Sequence, residues 1–273
     1  MFHLARIGRV FYGIAIAGLG FLTVYYHDFP YMLIPPHHSW IKEISMIIYI
    51  FGTLFILAGT SIVFKKKDGS VSLLLGGALL LNFCFYFIPY QFLANKNHMH
   101  FGDWENAAKE LALSGGAFVV ADWFFKNNES TPGHFFQKLV GAGTVLYAIA
   151  IISFSIDHFL YAKEAADYVP SWIPYHLFWI YFCGIALAAS GIAILLKIKM
   201  KLAAILLGAM IFTWFVILHI PYVIAAASIE ERSAASALLA LAYSGIALVI
   251  AGSNSSFLQP FTADVGVPSK HST

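Results

Sequence analysis

Along this chain long apolar runs alternate with short polar links, and none of the runs shows the every-second-residue alternation of a barrel strand. A helix needs about 20 predominantly apolar residues to cross a hydrocarbon core. Eight stretches reach that length, roughly 7–26, 44–64, 71–93, 107–125, 139–160, 176–196, 202–224 and 233–252. Lipid offers no partner to backbone N–H and C=O groups, so each stretch is expected to be a helix. The predicted class is an all-α membrane protein of eight transmembrane helices. The first run follows the basic residues Arg6 and Arg9 and is longer than a signal-peptide core, which is usually about 7–15 residues, so it reads as a retained span.

The runs repeat in order. "GRVFYGIAI" (8–16) matches "GTVLYAIAI" (143–151), and "FGTLFILAGTSIVFK" (51–65) matches "CGIALAASGIAILLK" (183–197). "LLLGGALL" (73–80) matches "ILLGAMIF" (205–212), and Ile-Pro-Tyr recurs at 88–90 and 220–222. "LALSGGAFVVA" (111–121) matches "LAYSGIALVIA" (241–251). A four-helix unit used twice gives this order, and an even number of spans keeps both copies in the same orientation. The expected organisation is a first unit over 1–126, a cytoplasmic linker over 127–138, a second unit over 139–252 and a cytoplasmic tail over 253–273.

Lys and Arg set the orientation. "KKKDG" (65–69), Lys126, Lys138 and "KIKMK" (197–201) lie in alternate links, while the other links are acidic or mixed. The positive-inside bias puts both termini in the cytoplasm and the carboxylate- and His-bearing links outside.

Composition agrees with lipid as the solvent. Of 273 residues 60% are hydrophobic and 11% charged, against roughly 25% charged in soluble domains. The net charge of +2 gives no case for nucleic acid. Cys84 and Cys183 form no C-x-x-C pair and no disulfide framework, which argues against a thiol relay.

Candidate chemistry gathers where apolar runs meet. Asp157 and His158 close one run, His176 opens the next, and His219 lies near the end of the seventh. Gly143, Tyr147, Ala150, Phe154 and His158 share one helical stripe. His176, Cys183, Gly184 and Gly191 share another, and Gly208, Phe212, Phe215 and His219 a third. Small residues mark faces where membrane helices approach, so the three histidines are expected to point into the bundle near one level, with Asp157 turned about 100° away from His158. Ionisable groups inside spans are functional candidates by default. Three imidazoles and a carboxylate suit a quinone carbonyl, a zinc or copper ion, or haem. The plainer reading has them hydrogen-bonding loops and capping helix ends. No H-E-x-x-H spacing is present, which leaves metal the weakest of these.

The other polar positions read structurally. Glu105 and Lys109 make an i,i+4 pair, Asp103 is an expected N-cap, and Trp40, Trp104 and Trp172 fit an interfacial belt. The histidines of "HDFPYMLIPPHH" (27–38) lie outside any span. Pro89 and Pro221 are expected to loosen their helices. No charged residue is read at mid-span, which disfavours a transporter.

In its second half the chain resembles the DoxX family of four-helix membrane proteins, on "HF" (158–159), "VPSWIPYHLFWIYFCGIALAASG" (169–191) and "KLAAILLGAMIFTWFVILHIPYV" (201–223). "GDWENAAKELALSGGAFVVA" (102–121) carries the resemblance in the first half. Some DoxX relatives are membrane subunits of thiosulfate:quinone oxidoreductase, others are associated with redox stress, and more distant ones include secretory cargo receptors. The resemblance implies a tandem-duplicated form in a cell membrane, the bacterial inner membrane, that works with other membrane or redox subunits. The position matching His219 is Phe87 in the first half, and 228–245 lacks the Trp-Glu-Asn of 104–106. One ligand site rather than two is therefore expected. We read it as an outward-facing pocket of His158, His176 and His219 for a quinone-type headgroup, with Asp157 setting the histidine tautomer. The competing expectation is a non-catalytic scaffold or assembly subunit.

Overall fold

In a computed structural model, residues 2–30, 32–34, 45–64, 69–97, 99–127, 133–225 and 231–253 are described. Trp40, His37, His38 and the Lys65–Lys67 run lie outside them, as does nearly all of the tail. Among the described residues there is no strand.

The long helices are α1 (Phe2–Tyr26), α2 (Ser45–Val63), α3 (Ser70–Ala94), α4 (Glu105–Asn127), α5 (His134–Leu160), α6 (His176–Leu195), α7 (Met200–Ala225) and α8 (Glu231–Gly252). Seven of them are long and apolar enough to span a membrane; α4 is not among these. Glu105, Lys109, Glu110, Asp122 and Lys126 lower its hydropathy, and its place in the bundle explains how they are tolerated. Sixteen of its 23 residues are buried, because α3, α5 and α8 pack around it. A helix so enclosed needs no lipid-facing stripe.

The other helices show that stripe. Leu54, Leu57, Leu74, Phe85, Ile185 and Leu206 are each more than half exposed. So large a belt of bare aliphatic and aromatic side chains fits a hydrocarbon surround and not water.

Around the bundle, α2 packs on α1, α1 on α8, α8 on α7, α7 on α6, α6 on α5, α5 on α4 and α4 on α3, while α4 and α8 meet at the centre. Glycines set the tightest crossings. A Cβ at Gly8 would sit 2.3 Å from the Gly245 carbonyl oxygen, and one at Gly115 would sit 2.7 Å from that of Gly143. Contacts of this kind recur at positions that match between the two halves of the sequence. The Tyr12 hydroxyl donates to the Leu113 carbonyl at 2.7 Å, and Tyr147 donates to that of Tyr243 at 2.8 Å. Ser114 donates to the carbonyl of Gly76, and Ser244 to that of Gly208, both at 2.9 Å.

The two prolines act as expected. Immediately before Ile-Pro-Tyr each helix widens into a π turn, Phe83–Phe87 in α3 and Phe215–His219 in α7. A proline ring clashes with the carbonyl four residues back and supplies no N–H to it. A wider turn relieves both, since i→i+5 bonding rearranges the partners. Elsewhere α5 begins at His134 rather than near 139, its first turn being exposed. Asp103 lies inside a 3-10 turn, Phe101–Trp104, ahead of α4, where its carboxylate accepts from Asn95 at 3.1 Å.

Candidate functional site

The candidate residues lie at the end of the bundle opposite the first residue of α1, called distal below. Asp157 and His158 stand in the last turn of α5, where Ser155 fixes the approach of α6 by donating to the Gly184 carbonyl at 2.8 Å. A Cβ added at Gly184 would meet the His158 Cβ at 3.1 Å. The missing side chain there is what lets the histidine sit between the helices.

His158 is half-buried, and its Nδ1 lies 2.8 Å from the Phe154 carbonyl of its own helix. A carbonyl can only accept, so Nδ1 carries the proton, and the neutral ring presents Nε2 as an acceptor. Phe154, not Asp157, therefore sets the tautomer. Among the described residues neither buried carboxylate oxygen of Asp157 has a hydrogen-bond partner. The charges that act on Asp157 are Glu105 and Lys109 at the start of α4, and these two form the expected pair at 2.8 Å.

His176 is the first residue of α6, entered through Tyr175 in the left-handed conformation at φ 58°. It stands eight residues before Gly184, about 12 Å along the axis at 1.5 Å per residue. His158 therefore lies deeper than His176, rather than at its level. His219 closes the π turn of α7. Trp214, whose ring centroid is 6.2 Å from that of Trp179, sets the level of α7 beside α6. Five residues on, His219 comes out near the level of His176. Among the described residues no three His, Cys, Asp or Glu side chains form a group suited to a metal ion.

A second distal cluster is closed on itself. Gln91 donates to the Asp103 carbonyl, and Asn95 bonds both Gln91 (2.6 Å) and the Asp103 carboxylate. His100 reaches Asp103 at 3.5 Å and the Tyr161 hydroxyl at 3.2 Å, while that hydroxyl accepts from the Gly102 N–H at 2.9 Å. The cluster latches the end of α3 and the start of α4 to the turn after α5. Trp104 stacks edge-on with Phe92 at 5.4 Å, and Trp172 is exposed.

Two charged residues are buried within the helices of the bundle. Arg9 is almost fully buried: its guanidinium donates to the carbonyls of Ile62 and Val63 and lies over Trp123 and Phe124, 5.5 and 5.6 Å from their centroids. Glu110 is fully buried in α4, about 7.5 Å below its first residue. Its Oε1 accepts from Asn82 at 2.9 Å, and its Oε2 has no partner among the described residues. The signal was present in the sequence, since Glu110 falls inside the apolar run read at 107–125.

The bundle, its lipid-facing belt and its polar distal end define the class: an α-helical integral membrane protein. No family model, curated protein or solved structure matches the chain.

Proposed function

We propose that the chain is a DoxX-like, tandem-duplicated membrane protein of eight spans, α4 included, built from two parallel four-helix units. Its work is redox-associated, with a quinone-type ligand at the distal end. The recurrence of the Tyr-to-carbonyl, Ser-to-Gly and glycine contacts at matched positions supports the duplication.

The observation that carries the ligand reading is Asp157. Two buried carboxylate oxygens without partners are a costly arrangement that a bound donor relieves. With Nδ1 of His158 committed to Phe154, the free groups at this end of α5 are acceptors. They suit the hydroxyls of the reduced, quinol form better than the carbonyls of the quinone. In this reading His158 Nε2 or the Asp157 carboxylate accepts a hydroxyl hydrogen bond, and His176 and His219 line the approach from the membrane interface. Electron transfer then requires a partner subunit, and the chain's own part is to bind and orient the quinol.

The competing reading is a non-catalytic scaffold, favoured by the bond of His158 to its own helix. Titrating the purified chain with a short-chain quinol, followed by tryptophan fluorescence, separates the two. Asp157→Asn and His219→Phe should each weaken binding about tenfold or more, equivalent to about 1.4 kcal/mol. Folding should survive the second change, since Phe87 stands at the matching position. Equal binding by the parent and both variants, or binding by none, leaves the scaffold.

A further inference from the structure

We propose that Glu110 is a proton-binding site of the first half of the bundle, its carboxyl held as the neutral acid with the proton on Oε2. It goes beyond the quinol reading and stands on different residues.

Glu110 is 0% exposed. From α3 it receives one N–H of Asn82, whose amide also donates to the Leu33 carbonyl at 2.7 Å. From α1 it faces Tyr12, whose hydroxyl proton is directed at the Leu113 carbonyl. On α4 itself Lys109 is paired with Glu105, and from α8 the Tyr243 hydroxyl reaches the Lys109 carbonyl rather than the acid. Arg9, one turn along α1 from Tyr12, is committed to the end of α2. Among the described residues no cation forms an ion pair with Glu110.

An ionised carboxylate with one neutral donor and no counter-charge costs more to bury than one hydrogen bond returns. A proton removes that cost, and no cavity need be found for it. Phe29, Met32 and Leu33, beyond the end of α1, are buried, and Asn82 ties the Leu33 carbonyl to the acid. The Asn82–Glu110 pair has no counterpart in the second half, where the matching positions are Trp214 and Ala240.

The test compares infrared spectra of the full chain in lipid with those of Glu110→Gln, whose amide imitates a neutral acid. At neutral pH the parent should show a protonated-carboxyl carbonyl band that the variant loses. A difference confined to ionised-carboxylate bands would overturn the assignment. Should the variant fail to fold, the parent is treated with dicyclohexylcarbodiimide, which reacts with acids buried in apolar surroundings. The acid O–H adds across one C=N bond, its oxygen joining carbon and its proton going to nitrogen. Mass mapping should find the adduct on Glu110, and a folded parent without an adduct there counts against the proposal. Neither result depends on whether quinol binds near Asp157.

Discussion

At Gly8 the absence of a single methyl group decides how closely two helices approach. Its Cβ would fall 2.3 Å from a backbone oxygen of α8, and backbone cannot step aside as a side-chain tip can. Gly8→Ala should therefore destabilise the bundle by about 1–3 kcal/mol, the range of core overpacking. Gly143→Ala, 2.7 Å from the Gly115 carbonyl oxygen, should act in the same direction. Gly77 is the control, for a Cβ there meets nothing within 4 Å. Gly77→Ala should be neutral or stabilising by about 0.5–1 kcal/mol, since alanine has less freedom to lose in a helix. Thermal unfolding in detergent, followed by circular dichroism, ranks the three variants. These glycines were legible as small residues in repeated motifs, but which of them face a backbone and which face open space was not.

The helices illustrate how a local pattern is completed by a remote side chain. The apolar runs gave α1–α8 to within a few residues, because length and hydropathy govern where a helix can lie in lipid. How α2 ends was not legible. Its last carbonyls lack intrahelical donors, and Arg9, more than fifty residues earlier, supplies them. Arg9→Met should cost about 1.5–3 kcal/mol, the usual worth of hydrogen bonds from a charged group. Arg9→Lys should recover only part of that loss, because a single ammonium lacks the planar fork and stacks poorly on Trp123 and Phe124. Chemical denaturation of the two variants in mixed micelles measures the gap.

For the molecule as a whole, the prediction concerns orientation. The alternation of Lys- and Arg-bearing links places the Lys197–Lys201 link inside and the Lys163 link outside. With Cys84 and Cys183 replaced, Lys163→Cys and Lys199→Cys can be labelled in intact cells by a membrane-impermeant maleimide. Position 163 should react from outside and position 199 only after permeabilisation. Labelling of 199 from outside reverses the topology.

Hydropathy and repetition, read from the sequence alone, determined the helical class, the approximate bounds of the helices and the positions where small and polar residues recur. These are properties of a chain's exchange with its solvent, and they are local. Which helices become neighbours was decided only in the folded bundle. There α4 is wrapped by α3, α5 and α8 and can carry charge, while Glu110 is fully buried and accepts from Asn82 of α3. The histidines show the same division. Their helical stripes were visible in the sequence, but the depth of His158 depends on its approach to Gly184, and its tautomer on a carbonyl that a hydropathy pattern does not register. Burial and hydrogen-bond satisfaction arise between segments far apart in the chain, so the packed structure alone assigns them.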